Sequence, residues 1–181
     1  MKKFICLFLL LASITVFGQS NKEIRIVLVR HAEKMTNDPK EKDPELTEKG
    51  LQRAEDLAKE LADTGVDSVY STDYKRTRNT AQPTATLNKI QVQIYDANKL
   101  KEFAKKILEE NVDKTVLIVG HSTTILETME ALGGTRPIEA IEDQEYDNAF
   151  LMLVKADGSI NVGMLKYGAA SSPTKDPQMM H

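Results

Sequence analysis

The chain of 181 residues is long enough to bury a sizeable hydrophobic core and short enough to form one domain. With 41% hydrophobic and 28% charged residues, its composition is ordinary for a folded globular protein. The formal net charge of −3 excludes a general attraction to nucleic acid or to anionic membranes, so a local cluster of cations has to hold any anionic ligand.

The first 18 residues have the regional order of a secretory signal peptide. Two lysines precede an apolar run from Phe4 to Phe17, and the small Gly18 is followed by polar residues. The run is shorter than the roughly 20 apolar residues that span a bilayer. We therefore expect cleavage near Gly18 and a secreted or periplasmic protein without a membrane anchor. Cleavage also removes Cys6, the one cysteine, so no disulfide or thiol chemistry is expected.

Strands and helices alternate along the rest of the chain. Apolar and alternating runs predict strands over 23–29, 66–71, 90–96 and 115–120, and helical periodicity predicts helices over 47–62, 74–88, 98–111 and 122–134. A hairpin is predicted over 149–168, with Asp157 and Gly158 at its turn. The folded domain is thus expected to span 22–168, and the aperiodic residues 169–181 are expected to form a disordered tail.

Two details of the first helices follow from residue type. The helix over 47–62 begins at the predicted N-cap Thr47 and has Gly65 as its stop signal. Its expected buried face consists of Leu51, Ala54, Leu57, Ala58 and Leu61. In the helix over 74–88, Pro83 is expected to bend or interrupt the backbone.

The alternation of strands and helices predicts an α/β fold. We expect a three-layer αβα sandwich, with a mostly parallel central sheet, helices on both faces and the C-terminal hairpin. In such folds ligands bind where strands end and helices begin. Unusual residues at strand ends are therefore candidates for the site.

Two buried strands end in histidine. The first runs into Arg30 and His31, and the fourth runs into Gly120 and His121, just before a helix that starts at Ser122. The chain has three histidines in all, so both histidines of the predicted domain follow buried strands. One such histidine is more often a core residue, but two at equivalent places indicate a site.

Arginines lie at comparable positions. Arg76 and Arg78 follow the second strand, at the start of the next helix. If they converge with Arg30 and the helix start at Ser122, their N–H donors suit a phosphate group. Next to arginines, an imidazole has a lowered pKa and stays neutral, and it can then attack phosphorus. The leaving oxygen needs a proton, which calls for a carboxylic acid nearby.

Four segments together resemble the histidine phosphatase superfamily, also called phosphoglycerate mutase-like. They are LVRHAEK (28–34), LTEKGLQRAEDLAKEL (46–61), STDYKRTRNTA (71–81) and IVGHST (118–123). The resemblance covers about residues 24–168. One Arg-His pair alone is weak, whereas the ordered set at successive strand ends is specific.

The resemblance implies roles for individual residues. His31 is the nucleophile that becomes phosphorylated, Arg30 and Arg76 bind the phosphoryl group, and His121 contacts the same oxygens. Within KRTRNTA, the arginine of the family stands four residues before the Thr of the Thr-Ala pair, which selects Arg76 over Arg78. In many members an Asn six residues after the nucleophile contacts phosphate.

The Asn at that position here is Asn37, which is a further phosphate-binding candidate.

Two carboxyl groups are candidates for the proton donor. Many members place a Glu in a Leu-x-Glu segment, which Glu102 matches, but Glu102 lies two residues from core-facing Leu100 and points to solvent on a helix. Asp96 lies directly at the end of the third strand, so Asp96 is favoured and Glu102 remains the alternative.

The predicted function is a secreted phosphomonoesterase that acts through a phosphohistidine. The long insertions that build the lid of phosphoglycerate mutases are absent from 36–45 and 96–111, and an open site favours water as the final acceptor. The chain is closer in size to the small phosphohistidine phosphatases. A small phosphorylated substrate is expected, with no metal, no other cofactor and no nucleic acid.

Two other classes remain open. A metallohydrolase could use His31, His121 and Asp96 as ligands, although the spacing matches no zinc signature and the flanking cations repel a metal. A catalytically silent phosphate- or phosphosugar-binding module of the same fold is the second alternative, because the acid is the least certain group.

Overall fold

A computed structural model describes residues 22–171 of the chain. The predicted signal peptide and residues 172–181 of the predicted tail lie outside the described residues. Ser171 accepts hydrogen bonds from the backbone N–H groups of Tyr146, at 2.8 Å, and Asp147, at 3.2 Å. Within 22–171, no helix is both long enough and apolar enough to cross a bilayer.

The order of elements agrees with the alternation read from the sequence. The strands are β1 (Ile24–Arg30), β2 (Ser68–Ser71), β3 (Val92–Ile94), β4 (Thr115–Gly120), β5 (Asn148–Val154) and β6 (Ile160–Lys166). The α-helices are α1 (Glu48–Glu60), α2 (Lys75–Leu87), α3 (Leu100–Glu110) and α4 (Ser122–Ala131), and a short 3-10 helix, Ala62–Thr64, follows α1.

The strands form one mixed sheet with the order β3-β2-β4-β1-β5-β6. The first four strands in this order are parallel, β5 is antiparallel to β1, and β6 is antiparallel to β5. The predicted mostly parallel sheet and C-terminal hairpin are confirmed. Because β1 and β4 are neighbours at the centre, their carboxyl ends open at the same edge of the sheet.

Each face of the sheet carries a hydrophobic core. On one face, α3 and α4 pack Phe103, Ile107 and Met129 against alternate sheet residues such as Leu28 and Ile118. On the other face, α1 and α2 pack against the intervening sheet residues, through side chains that include Leu57, Leu61, Ala81 and Ala85. This arrangement confirms the three-layer αβα sandwich. Central strands buried on both faces are stiff supports for whatever follows them.

The first helix begins and ends where its cap residues predict. The side chain of Thr47 accepts a hydrogen bond from the N–H of Gly50 at 3.1 Å, and Gly65 adopts a left-handed φ of 63°. The expectation that Leu51 lies on the buried face is wrong, since Leu51 is 50% exposed. It borders a surface groove between α1 and α2, together with Pro83 and Leu87.

Of the two effects expected at Pro83, a bend or an interruption, the interruption does not occur, because α2 continues from Lys75 to Leu87. The missing N–H and the ring of a helical proline cost about 3 kcal/mol. On the buried side of α2 lie Thr77, Thr80, Ala81, Thr84 and Ala85, whose small side chains allow close packing on the sheet. This tertiary packing maintains the helix through the proline.

Gly50, in the first turn of α1, is the point of closest approach to the segment that follows β1. A Cβ at Gly50 would lie 2.2 Å from the carbonyl oxygen of Glu33. The same carbonyl accepts a hydrogen bond from the N–H of Thr47 at 2.8 Å. The start of α1 is therefore pressed against the backbone two residues beyond His31.

We expect Gly50→Ala to destabilise the protein by about 2–3 kcal/mol, because the clash is with backbone and the loop after β1 has to move. At an unconstrained helical site the same change stabilises by up to about 1 kcal/mol. Chemical denaturation measures the free energy of unfolding of the variant and of the unmodified protein. Gly163→Ala in β6 is the matched control, because no atom lies within 4 Å of the added methyl. Equal stability of the two variants would contradict the predicted contact.

Candidate active site

The two histidines of the described chain lie side by side at the carboxyl edge of the sheet. In the parallel pairing of β1 with β4, Arg30 is opposite Gly120, so the residues that follow them, His31 and His121, occupy equivalent positions. Their rings meet edge to face, with centroids 5.5 Å apart. The convergence expected from two strands that end in the same way is present in the structure.

The backbone determines which nitrogen of His31 is free. Its Nδ1 lies 2.8 Å from the carbonyl oxygen of Ala32, and because a carbonyl only accepts, Nδ1 carries the proton. In the neutral ring, Nε2 then holds the lone pair. The N–H of Ala32 donates to Thr80 Oγ1 at 2.9 Å, which ties this segment to α2. The arrangement presents Nε2 as a nucleophile with a defined orientation.

A chain of hydroxyl groups orients His121. Nε2 of His121 lies 3.1 Å from Thr72 Oγ1, which donates to Thr77 Oγ1 at 3.0 Å. Thr77 in turn donates to backbone carbonyls, at 2.9 Å from the oxygens of Thr72 and Tyr74. With its own proton given to Thr77, the Thr72 oxygen accepts the proton of His121 Nε2. The relay makes His121 a hydrogen-bond donor on its Nε2 side.

Arg30 is a buried cation, 5% exposed, at the last position of β1. Its Nη1 donates to carbonyl oxygens of the loop before β5, at 2.8 Å to Glu142, 3.1 Å to Asp143 and 3.3 Å to Glu145. Its guanidinium carbon lies 4.4 Å from the ring centroid of Tyr146. These contacts hold the head group in place, yet its buried Nε–H has no partner within residues 22–171.

Arg76, in the first turn of α2, forms a similar arrangement. Its guanidinium carbon is 4.4 Å from the ring centroid of Tyr74, and that ring also packs edge to face on His121, with centroids 5.0 Å apart. Its Nη1 lies 3.5 Å from Asp43 Oδ1. Within the described chain, the buried Nε and Nη1 of Arg76 have no hydrogen-bond partner. Arg78 is half-buried and pairs with Asp73 instead.

Burial and positive charge keep both imidazoles neutral. Burial first, and then the charges of Arg30, Arg76 and His121, lower the pKa of His31 from its usual 6.5 to about 3, against the raising effect of the Ala32 carbonyl. Burial, followed by the charges of Arg76, Arg30 and Lys34, lowers the pKa of His121 to about 4. The pocket thus combines a neutral nucleophile with cations that carry unpaired donors, a combination suited to an oxyanion.

A buried ion pair anchors the segment that carries the nucleophile. Arg53, 2% exposed, donates from Nε and Nη2 to the carboxylate of Glu33, at 2.9 Å and 2.8 Å. Its Nη1 donates to the carbonyl of Tyr167 at 3.1 Å. Burial alone raises the pKa of Glu33, but the bonds from Arg53 outweigh it and lower that pKa. The pair joins the loop after β1 to α1 and to the residue after β6.

The structure does not bring the two predicted proton donors to the histidines. Asp96 is fully exposed beyond β3, and its carboxylate accepts from the N–H and the Nδ2 of Asn98, at 2.9 Å and 3.0 Å. Since β3 is an edge strand, its end lies roughly 10 Å from that of β4 and roughly 14 Å from that of β1. Glu102 is exposed on α3, as its spacing from Leu100 predicted.

Asn37 is exposed in the loop after β1. It lines a surface pocket of about 220 Å³ that Asp43, the carboxylate next to Arg76, lines as well. The role of Asn37 in phosphate binding and that of Asp96 in proton transfer stay predictions.

The metal site considered from the sequence needs Asp96 beside His31 and His121. In the described part of the chain, no three His, Cys, Asp or Glu side chains are grouped as metal ligands.

Several residues of the pocket had not been anticipated. Tyr74 and Tyr146 stack on the two arginines, and Thr72 contacts His121. Thr72 directly follows β2, so the search for polar residues at strand ends could have found it. Tyr146 lies in an irregular loop that approaches Arg30 only in the folded chain, and Asp43 reaches Arg76 in the same way. No local pattern marks these two.

Comparison with solved structures places the fold among phosphatases. The protein histidine phosphatase SixA, in complex with tungstate, is 13% identical and aligns with a TM-score of 0.63 over 78% of this chain and 96% of its own. A mycobacterial glucosyl-3-phosphoglycerate phosphatase is 14% identical and aligns with a TM-score of 0.63 over 82% of this chain and 100% of its own. The fold is therefore that of the histidine phosphatases.

The sequence comparison points to the same class. Residues 26–102 match the model of the histidine phosphatase superfamily (branch 1), a segment that contains Arg30, His31 and Arg76. No curated protein is similar enough in sequence to be matched. The match and the shared fold confirm the resemblance to the histidine phosphatase superfamily that the sequence motifs indicated.

The lowered pKa values predict that neither histidine titrates in the neutral range. A group with a folded pKa of about 3 or 4 binds its proton only below that pH, so both rings stay neutral from pH 8 to pH 5. Imidazole NMR signals, assigned with His31→Gln and His121→Gln variants, should not shift over this range in the free protein. A midpoint near 6.5 for either ring would contradict the described electrostatics.

Proposed function

We propose that this protein is a secreted phosphomonoesterase that works through a phosphohistidine at Nε2 of His31. The observation that carries the proposal is the set of buried, unpartnered N–H groups on Arg30 and Arg76 beside a neutral, oriented imidazole. A buried donor without an acceptor costs about 1–3 kcal/mol. A phosphoryl oxyanion removes that cost and uses the charge of both guanidiniums.

The reaction proceeds in two displacements. In the first, the Nε2 lone pair of His31 forms the N–P bond while the ester P–O bond breaks, and the leaving oxygen takes a proton from a carboxylic acid. In the second, water attacks phosphorus, its proton passes to the carboxylate, and the N–P electrons return to Nε2. The sum is hydrolysis of a phosphomonoester to an alcohol and inorganic phosphate.

The other pocket residues stabilise the transferring group. Arg30 and Arg76 donate to the equatorial oxygens, where negative charge is spread in the transition state. His121, whose Nε2–H faces the hydroxyl of Thr72, donates to the same group after a small rotation. These donors supply the charge stabilisation that a metal ion supplies elsewhere, so the proposed reaction is metal-independent.

The substrate class and the location rest on other features. SixA is named as a protein histidine phosphatase, and the mycobacterial neighbour as a glucosyl-3-phosphoglycerate phosphatase. We infer a small phosphorylated substrate here too, or a phosphorylated side chain, held mainly by its phosphoryl group. The signal-like segment before residue 19 supports secretion or a periplasmic location, where scavenged phosphoesters are substrates of suitable chemistry.

One observation favours a second function, a phosphate-binding module without turnover. The two carboxyl groups expected to serve as proton donors, Asp96 and Glu102, are both exposed, and Asp96 follows the edge strand β3. Such a module binds inorganic phosphate through Arg30 and Arg76 and releases none from any ester. The same experiment separates the two functions.

We expect an aryl phosphate to phosphorylate His31 and to turn over in the presence of a chelator. Rapid quench with radiolabelled substrate should trap a phosphoenzyme that is labile in acid and stable in alkali, because N–P bonds have this behaviour. The His31→Ala variant should form none. Phosphate binding without a phosphoenzyme across a broad substrate panel would support the silent module instead.

Arg76 and Arg78 form a matched control pair in the same experiment. Arg76→Ala removes two donors of the pocket and should lower the rate of phosphoenzyme formation by about 10²–10³-fold. Arg78 pairs with Asp73 on the surface, so Arg78→Ala should leave the rate within about twofold. A larger loss of rate in Arg78→Ala than in Arg76→Ala would show that Arg78, and not Arg76, contacts the phosphoryl group.

A further inference from the structure

One carboxylate approaches the arginines of the pocket although no motif indicated it. Asp43 precedes α1 in the loop after β1, and its Oδ1 lies 3.5 Å from Nη1 of Arg76. The same oxygen accepts a hydrogen bond from the N–H of Lys75, the first residue of α2, at 2.9 Å. Its charge acts on both Arg76 and His121, as the effects on their pKa values indicate.

The neighbouring carboxylates contact cations other than Arg30 and Arg76. Glu33 forms the buried pair with Arg53 and also contacts Lys49. Glu45 contacts the Nζ of Lys75 at 3.3 Å and the Nδ2 of Asn79 at 2.9 Å.

On the opposite side of the pocket, the carboxylates before β5 are also unsuited to proton transfer. Asp147 contacts Lys166 and the N–H of Ser171, and its pKa is lowered to about 2, so it does not retain a proton near neutral pH. Glu142 and Asp143 are exposed and approach Arg30 through their backbone carbonyls.

From this geometry, and resting on the proposed function, we propose that Asp43 is the proton donor of the first step. When the ester P–O bond breaks, the carboxyl proton of Asp43 passes to the leaving oxygen and the carboxylate remains. In the second step the carboxylate accepts a proton from the attacking water, which restores the acid. Asp43 thereby takes the role for which Asp96 and Glu102 were considered.

Two observations suit Asp43 to this role. Its Oδ1 lies 3.5 Å from Nη1 of Arg76, a guanidinium proposed to hold the transferring group. Its side chain is 33% exposed, so the carboxyl group can exchange protons with water.

The test compares leaving groups in Asp43→Asn. A poor leaving group, such as an alkyl phosphate, needs the acid, so its kcat/KM should fall by about 10²–10⁴-fold. A nitrophenyl phosphate leaves without full protonation and should lose less than about tenfold. In the unmodified enzyme, activity should fall with rising pH as the acid loses its proton. This fall should be absent in Asp43→Asn. Asp38→Asn, in the same loop, is the control for removal of one charge.

Three outcomes would overturn the assignment. An equal loss for both leaving groups, expressed as a raised KM, would make Asp43 an orienting partner of Arg76. A loss that depends on the leaving group in Asp96→Asn or Glu102→Gln, and not in Asp43→Asn, would return the role to those residues. An unchanged fall of activity with rising pH in Asp43→Asn would mean that another group supplies the proton.

The assignment and the proposed function fail in different ways. If the unmodified enzyme forms no phosphoenzyme at His31, the proposed function is wrong whatever Asp43 does. If the phosphoenzyme forms and Asp43→Asn has none of the expected effects, only the assignment of Asp43 is wrong. If Asp43→Asn does not fold, Asp43→Glu is the second variant, because it keeps a carboxyl group on a side chain one methylene longer. Its activity should be lower than that of the unmodified enzyme and should still fall with rising pH.

Discussion

Two guanidinium groups, buried with unpaired donors beside neutral imidazoles, are the constraint on which the rest of the site depends. Arg30 is held by carbonyl oxygens and by the ring of Tyr146, and Arg76 contacts Asp43 and the ring of Tyr74. Their like charges repel, and some of their N–H groups have no acceptor within the described residues. The free protein therefore contains an unfavourable arrangement that an oxyanion relieves.

The sheet makes that arrangement possible. The central strands β1 and β4 are buried on both faces, and their parallel pairing places His31 and His121 next to each other without help from the loops. The surrounding hydrogen bonds then determine orientation. The Ala32 carbonyl directs the lone pair of His31 to Nε2, and the Thr72–Thr77 relay orients His121. The rigid strands determine where the two imidazole rings lie, and the hydrogen bonds determine which ring nitrogen carries the proton.

Sequence reasoning was most reliable where local rules decide. Buried strands, helical periodicity and the Thr47 cap predicted the three-layer fold, and polar residues at strand ends led to Arg30, His31, Arg76 and His121. It failed where tertiary packing decides. Leu51, expected on the buried face of α1, is exposed beside the groove between α1 and α2.

The two candidates for the proton donor differ in how sequence can indicate them. Position at a strand end favours Asp96, which follows the edge strand β3 and whose role stays a prediction. Asp43 lies in a loop without periodicity, and its approach to Arg76 depends on the path of the loop between β1 and α1 and on the first turn of α2. Contacts between a loop and a helix end are not marked by any regular spacing of residues in the sequence.

The most direct test of the account is a crystal structure with orthovanadate, which imitates the phosphoryl group in transfer. We expect vanadium bonded to Nε2 of His31, with equatorial oxygens that accept hydrogen bonds from the now unpaired N–H groups of Arg30 and Arg76. The carboxyl group of Asp43 should lie within hydrogen-bond distance of the apical oxygen opposite His31. Vanadate bound away from His31, or bonded through Nδ1, would contradict the central claim that these guanidiniums and this imidazole form a phosphoryl-transfer site.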